Sequence, residues 1–261
     1  MGDRTTPILW HIDVSHYSEK ARWALAWKGV EHERRSPPPG GHIAVALWLT
    51  RGANYTFPVL TLDGRHIGDS TAIVEALERR YPESPLYPSD PAQRRRALQL
   101  EDLFDEELGP DIRLLVWHEF GNDRERFERL VRETAPPPLD KFASPTALYA
   151  RVYTDLRFRV RKPEAAERAR AKVLAMLDKL EDELGDGEYL VGDSFSVADL
   201  TAASLFYPLV LPPEAPGGFE DSAAAGFQEF REPLLERPGS KWVAEMFRRH
   251  RKPAETASAV A

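Results

Sequence analysis

"HIDVSHYSEKARWAL", residues 11–25, leaves a strand-like stretch and enters a helix within a few residues. To its left, PILWHI (7–12) is a short apolar run of the kind that makes a buried strand. To its right, SEKARWALAWKG places Ala21, Ala24, Leu25 and Lys28 on neighbouring helical faces and stops at Gly29. Between the two lie Ser15 and Ser18, spaced S-x-x-S. Either can cap a helix, because a serine oxygen accepts from the unpaired N–H groups of a first turn. Those same N–H groups carry partial positive charge and favour an anion. The residues leave both roles open for Ser15.

Working outward, VEHERR (30–35) reads as a second strand, SPPPGG as a loop, and residues around 42–51 as a short helix. FPVLTLDGRHIGD (57–69) is a hairpin folded about Asp63-Gly64, a dipeptide suited to a tight two-residue turn. STAIVEALERRY (70–81) is a helix, with Ile73, Val74, Leu77 and Tyr81 at helical spacing. YPESPLYPSDP (81–91) is a proline-rich linker. Beyond it the pattern is helical over 91–120, 123–134, 144–160, 163–185, 196–207 and 239–250. APPPLD (135–140) and LPPEAPGG (211–218) interrupt this half, the latter as an exposed loop. The reading is an α/β domain over 1–82 followed by an all-α domain over 91–261.

Composition bounds the chemistry. The 261 residues are 42% hydrophobic and 30% charged, a globular balance. No apolar run is long enough to span a bilayer, and the N-terminus lacks an apolar signal core, so a cytoplasmic protein with no membrane partner is expected. The net charge of −7 argues against a nucleic-acid partner. With no cysteine there is no disulfide, thiolate ligand or cysteine nucleophile. His11, His42, His66 and His118 lack metal-ligand spacing, so no metal is expected. Glu101, Asp102, Asp105, Glu106 and Glu107, which follow Arg94-Arg95-Arg96, read as a solvated helix face.

Three features point to one cleft. Ser15 stands at a helix start. Pro58 begins a strand, where its missing N–H costs no ladder bond; if the bond before it is cis, the Phe57 backbone can pair with a peptide-like ligand. Asp69 and Ser70 open a third helix, where helix N–H groups and a hydroxyl can hold a carboxylate and Asp69 an ammonium group, together suiting an α-amino acid head.

In this order the motifs resemble the cytosolic glutathione transferase superfamily over nearly the whole chain. SHYSEKARWAL is similar to its helix 1 entry, FPVL to its cis-proline strand and DSTAIVEALE to its glutathione-binding helix. FSVADLTAASLF (195–206) is similar to its capping-box helix, with Ser196 and Asp199 at the box spacing. The resemblance implies a thioredoxin-like first domain, a helical second domain and glutathione as co-substrate. It makes Ser15 the residue facing the sulfur, with Ser18 and Tyr17 as weaker alternatives. A free thiol has a pKa of about 8.5, and lowering it by about two units takes about 2.7 kcal/mol, within reach of one charge-assisted hydrogen bond plus a helix dipole. Phe57 would pair with the cysteinyl backbone beside Pro58, while Asp69 and Ser70 would hold the γ-glutamyl end.

An electrophile pocket is implied between the domains, lined by Tyr17 and by Arg113 and Trp117 beyond a Gly109-Pro110 kink. Two departures stand out: His16 where such motifs often carry Pro, and Thr56 where a Lys often helps to bind glutathione. The implied protein is a homodimeric detoxification transferase acting on a small electrophile. Its alternatives are a thiol-dependent lyase, dehalogenase or isomerase, and a non-catalytic binding or scaffold protein.

Overall fold

The computed structural model describes residues 6–37, 41–122, 162–215 and 225–251, with isolated positions at 125, 128, 145, 148, 152 and 155. The helices expected at 123–134 and 144–160 and the interruption at 135–140 therefore lie outside the continuously described residues, as do positions 216–218 of the second proline-rich stretch.

Four strands form one sheet in the order β2-β1-β3-β4: β1 (Ile8–Trp10), β2 (Glu33–Arg35), β3 (Val59–Leu62) and β4 (Arg65–Gly68). β1 pairs with β2 in parallel, through a crossover carrying α1 (His16–Trp27), and antiparallel with β3. The β3–β4 hairpin turns on Asp63 and Gly64, both at positive φ (47° and 76°), as a twisted two-residue hairpin turn requires. α2 (His42–Leu49) precedes β3 and α3 (Ser70–Arg80) follows β4.

The helical half contains α4 (Pro91–Glu107), α5 (Gly109–Asn122), α6 (Pro163–Leu184), α7 (Val197–Val210), α8 (Ala225–Arg231) and α9 (Pro238–His250). The single helix expected over 91–120 is two, broken at Leu108. A Cβ at Gly109 would overlap the Tyr17 hydroxyl, so glycine at this break lets α1 come close to the α4–α5 junction. The short helix α8 has no counterpart in the sequence reading, because seven residues barely complete two turns and carry little periodic signal.

Every residue of α7 is buried, and it packs against α1, α4 and α9. Asp199 accepts from the Ser196 N–H at 2.8 Å and the Leu190 N–H at 2.8 Å, satisfying two buried donors at the α7 entry. One apolar core runs from Leu9, Trp23 and Leu60 through Phe104 and Phe206 to Phe247, so both halves share it. A second, small cluster of Ala46, Leu49, Phe57 and Val59 lies beneath α2.

Candidate functional site

The sheet brings three segments to one of its ends. β1 leaves there towards Ser15, β3 enters there just after Pro58, and β4 leaves there towards Asp69. The register fixes this, since Trp10 opposes Val59 and Val59 opposes Gly68. The helices α1 and α3 start at the same end, so their unpaired N–H groups converge on it.

Ser15 is the N-cap of α1, half-buried, with extended backbone (φ −84°, ψ 123°). Its Oγ accepts from the Ser18 N–H at 3.3 Å. A hydroxyl that accepts this bond keeps its own O–H to donate, so the capping role and a ligand role coexist. Ser18 is fully buried, and its Oγ accepts from the Ile12 N–H at 3.2 Å, a bond that shapes the loop into α1.

Tyr17 donates to the Asp105 carbonyl at 2.8 Å, and burial pushes its phenol above the ordinary value despite the Arg113 guanidinium nearby. Its proton is therefore committed to the protein. Beside it, His16 is buried. Burial and Arg113 lower its imidazole to about 3, against the opposing pull of the Gly109 carbonyl, and keep it neutral. Its ring lies 4.4 Å from that of Tyr17. The Arg113 guanidinium stands 5.8 Å from the Tyr17 ring centroid, and Trp117, one turn further along α5, packs against the main core.

The Phe57–Pro58 peptide bond is cis. The Phe57 ring is buried in the small cluster under α2, so any ligand contact from this residue falls to its backbone. Asp69 is exposed, at φ 76°, and its Oδ1 caps α3 by accepting from Thr71 N (2.9 Å) and Ala72 N (3.2 Å). Ser70 is buried, and Thr56 is exposed.

A buried cluster joins the two helix starts. Lys20 donates to Thr71 Oγ1 at 2.9 Å and pairs with Asp105 Oδ2 at 2.5 Å and Glu101 Oε1 at 2.8 Å. Thr71 itself donates to Asp105 Oδ2 at 2.7 Å. Asp105 thus holds α1 through Lys20 and Tyr17 and α3 through Thr71. This corrects the solvated-face reading for Glu101, which is 0% exposed, and Asp105, which turns towards α1, while Asp102, Glu106 and Glu107 are exposed as expected. The signal was present in the stripe Ala97, Leu100, Phe104 and Leu108, whose helical face includes position 101.

On the other side of α1, Arg22 holds the loop that presents Ser15. It donates to the carbonyls of Asp13 (2.9 Å) and Ile12 (3.3 Å), while Tyr207 donates to the Val14 carbonyl at 2.9 Å. Nothing local in the sequence marks these residues, because their partners are loop carbonyls and a helix far along the chain.

Residues 9–85 match the family model of the glutathione S-transferase N-terminal domain, and residues 163–232 that of the C-terminal domain. Maleylacetoacetate isomerase of Rattus norvegicus is 31% identical over 122 residues, 46% of this chain and 56% of that protein. The chain spans about half the length of the curated relatives it matches first. Among solved structures, beta-etherase LigF from Sphingobium sp. strain SYK-6 superposes with a TM-score of 0.59 at 24% identity, covering 92% of this chain and 99% of that one. A glutathione S-transferase of Methylobacterium radiotolerans JCM 2831, in complex with glutathione sulfonate, gives 0.55 at 22% identity, covering 98% and 100%.

Proposed function

Since the chain belongs to the glutathione transferase superfamily, we propose that it is a glutathione-dependent transferase in which the Ser15 hydroxyl donates to the thiolate. The observation that carries this reading is the state of Ser15, whose lone pair caps α1 while its O–H is left to donate at the positive end of that helix. Glutathione supplies the sulfur nucleophile. The chain's own residues bind and orient it. The Phe57 backbone faces the cysteinyl unit beside Pro58, and Asp69 and Ser70, at the start of α3, take the γ-glutamyl end. The glutathione sulfonate complex of the Methylobacterium relative supports this choice of thiol. Tyr17, Arg113 and Trp117 line the electrophile side.

In this reading residues 1–82 form the glutathione-binding domain and 91–261 the domain supplying the electrophile pocket, in a cytoplasmic homodimer that detoxifies small electrophiles. The chain has no cysteine for a mixed disulfide, which removes disulfide-exchange chemistry. A second reading, thiol-dependent isomerisation or ether cleavage, is favoured by the likeness to maleylacetoacetate isomerase and beta-etherase. Product analysis separates them: regenerated glutathione marks isomerisation, a retained thioether with a released alcohol or phenol marks ether cleavage, and a retained thioether with any other leaving group or none marks transfer. A scaffold role draws support from the exposed Thr56 where a Lys often stands.

The test is a glutathione titration followed by tryptophan fluorescence and thiolate absorbance, in wild type and Ser15→Ala. Wild type is expected to bind saturably and show thiolate near neutral pH. The variant should still bind, with its thiolate midpoint raised by up to about two units, which at pH 7 amounts to as much as about 25-fold less thiolate. Undiminished thiolate and turnover in Ser15→Ala would overturn the assignment, and no binding at millimolar glutathione would favour the scaffold reading.

A further inference from the structure

We propose that Arg251, at the far end of the described chain, is a positioning residue for Ser15, acting through a buried relay of two side chains. This rests on the assignment of Ser15 to the thiolate. The Arg251 Nε donates to Glu19 Oε1 at 2.5 Å, and Glu19 Oε2 accepts from Arg22 Nε at 2.7 Å. The opposite edge of the Arg22 fork donates to the carbonyls of Ile12 and Asp13. The Ile12 carbonyl also accepts from the Ser15 N–H at 3.0 Å. The relay therefore ends on the backbone that sets Ser15.

All three members are buried: Arg251 is 7% exposed, Arg22 2% and Glu19 0%. The end of α9 is docked on α1 independently of the ions, because Trp23 Nε1 donates to the His250 carbonyl at 3.1 Å and the Trp23 ring packs on Phe195 and Phe247. Arg251 is thus delivered to Glu19 by apolar packing.

The groups facing the relay include His11, His32, Arg34, Asp13 and Tyr207, whose phenol burial pushes above its ordinary value. Burial, then Arg22, Arg34 and His32, lower His11 to about 3, so it is neutral and its Nδ1 accepts from Arg22 NH1 at 2.9 Å. Burial together with Arg34, Arg251 and Arg22 outweighs the Val30 carbonyl and holds His32 below its ordinary value. Asp13 lies 3.5 Å from His11 with its side chain largely in solvent.

Two guanidinium groups share one carboxylate, one oxygen each. While Arg251 occupies Oε1, Arg22 meets Glu19 through Nε alone, which leaves NH1 and NH2 for the loop. Without Arg251 both carboxylate oxygens are open to Arg22, whose preferred geometry is bidentate. Its fork would then turn towards Glu19 and away from Ile12 and Asp13. The Glu19–Arg22 pair survives, so neither charge is orphaned.

The test compares wild type, Arg251→Gln and Arg251→Lys by two readouts. In glutathione-free protein, hydrogen exchange of the Ser15 amide should accelerate about ten-fold in Arg251→Gln, while amides within α7 and α9 keep their protection. With glutathione bound, the pH midpoint of thiolate absorbance should rise by about one unit, about a three-fold loss of thiolate at neutral pH, with KM for glutathione within about two-fold of wild type. Arg251→Lys restores the cation without the fork. It should fold even if Arg251→Gln does not, and shift both readouts in the same direction by less. A lower melting temperature with unchanged Ser15 exchange and an unchanged thiolate midpoint would overturn the relay and leave Arg251 a purely structural tie. Faster Ser15 exchange in a protein whose wild type forms no thiolate would uphold the relay and sink the transferase reading instead.

Discussion

Glu19 and Glu101 are both fully buried, both paired with a cation on α1, and held in opposite protonation tendencies. Burial alone would raise both. Around Glu19 the guanidinium groups of Arg22 and Arg251 outweigh burial and hold the carboxyl below its ordinary range. Around Glu101 burial wins, because its single cation, Lys20, is shared with Asp105, and Asp105 adds like-charge repulsion. Lys20 stays charged despite burial, held first by Asp105 and then by Glu101. One side of α1 has two cations to one carboxylate and the other has two carboxylates to one cation. Local stoichiometry decides in which direction each buried carboxyl is shifted.

The largest expected effect comes from Glu19→Gln, which leaves two buried guanidinium groups without their anion. Urea unfolding at pH 7 should show a loss of about 3–5 kcal/mol. Because the folded pKa of Glu19 is depressed, its contribution is present above the unfolded value and lost as pH falls through the folded one. The gap between wild type and variant should therefore close in acid. A gap of equal size at every pH would mean that the shape of the side chain matters and its charge does not.

Glu101→Gln should sit within about 1 kcal/mol of wild type at pH 7, since Asp105 still pairs with Lys20 and a neutral group replaces one that resists ionisation. Here the sign reverses. A raised folded pKa contributes stability below the unfolded value that is lost as pH rises through the folded one, so the variant should flatten the decline as pH rises above the ordinary carboxylate value. A loss as large as that of Glu19→Gln would erase the distinction between the two sides. Smallest is Thr71→Val, which removes the hydroxyl bridging Lys20 and Asp105 and should cost about 0.5 kcal/mol by the same unfolding measurement.

Much of the frame was legible from local pattern. The strand before Ser15, the hairpin on Asp63-Gly64, the α3 start at Asp69 and the capping residues of α7 all appear where periodicity and turn chemistry put them. Each depends on residues a few positions apart, which is the range over which such signals act. The break at Leu108 falls beside the kink expected at Gly109-Pro110, another local signal, whereas the reading of Glu101 and Asp105 as solvent-facing failed. A run of like charges looks the same in sequence whether it meets water or a buried lysine.

By itself the sequence determined the order of elements, the capping of α1 by a serine hydroxyl able to donate as well as accept, and the removal of all cysteine chemistry. Only the tertiary structure decided which charges are buried together. Glu19 meets Arg251 across 232 positions and Lys20 meets Asp105 across 85. The reason is physical: ionisation in an interior follows from desolvation and from the charges within a few ångströms, and packing alone chooses both.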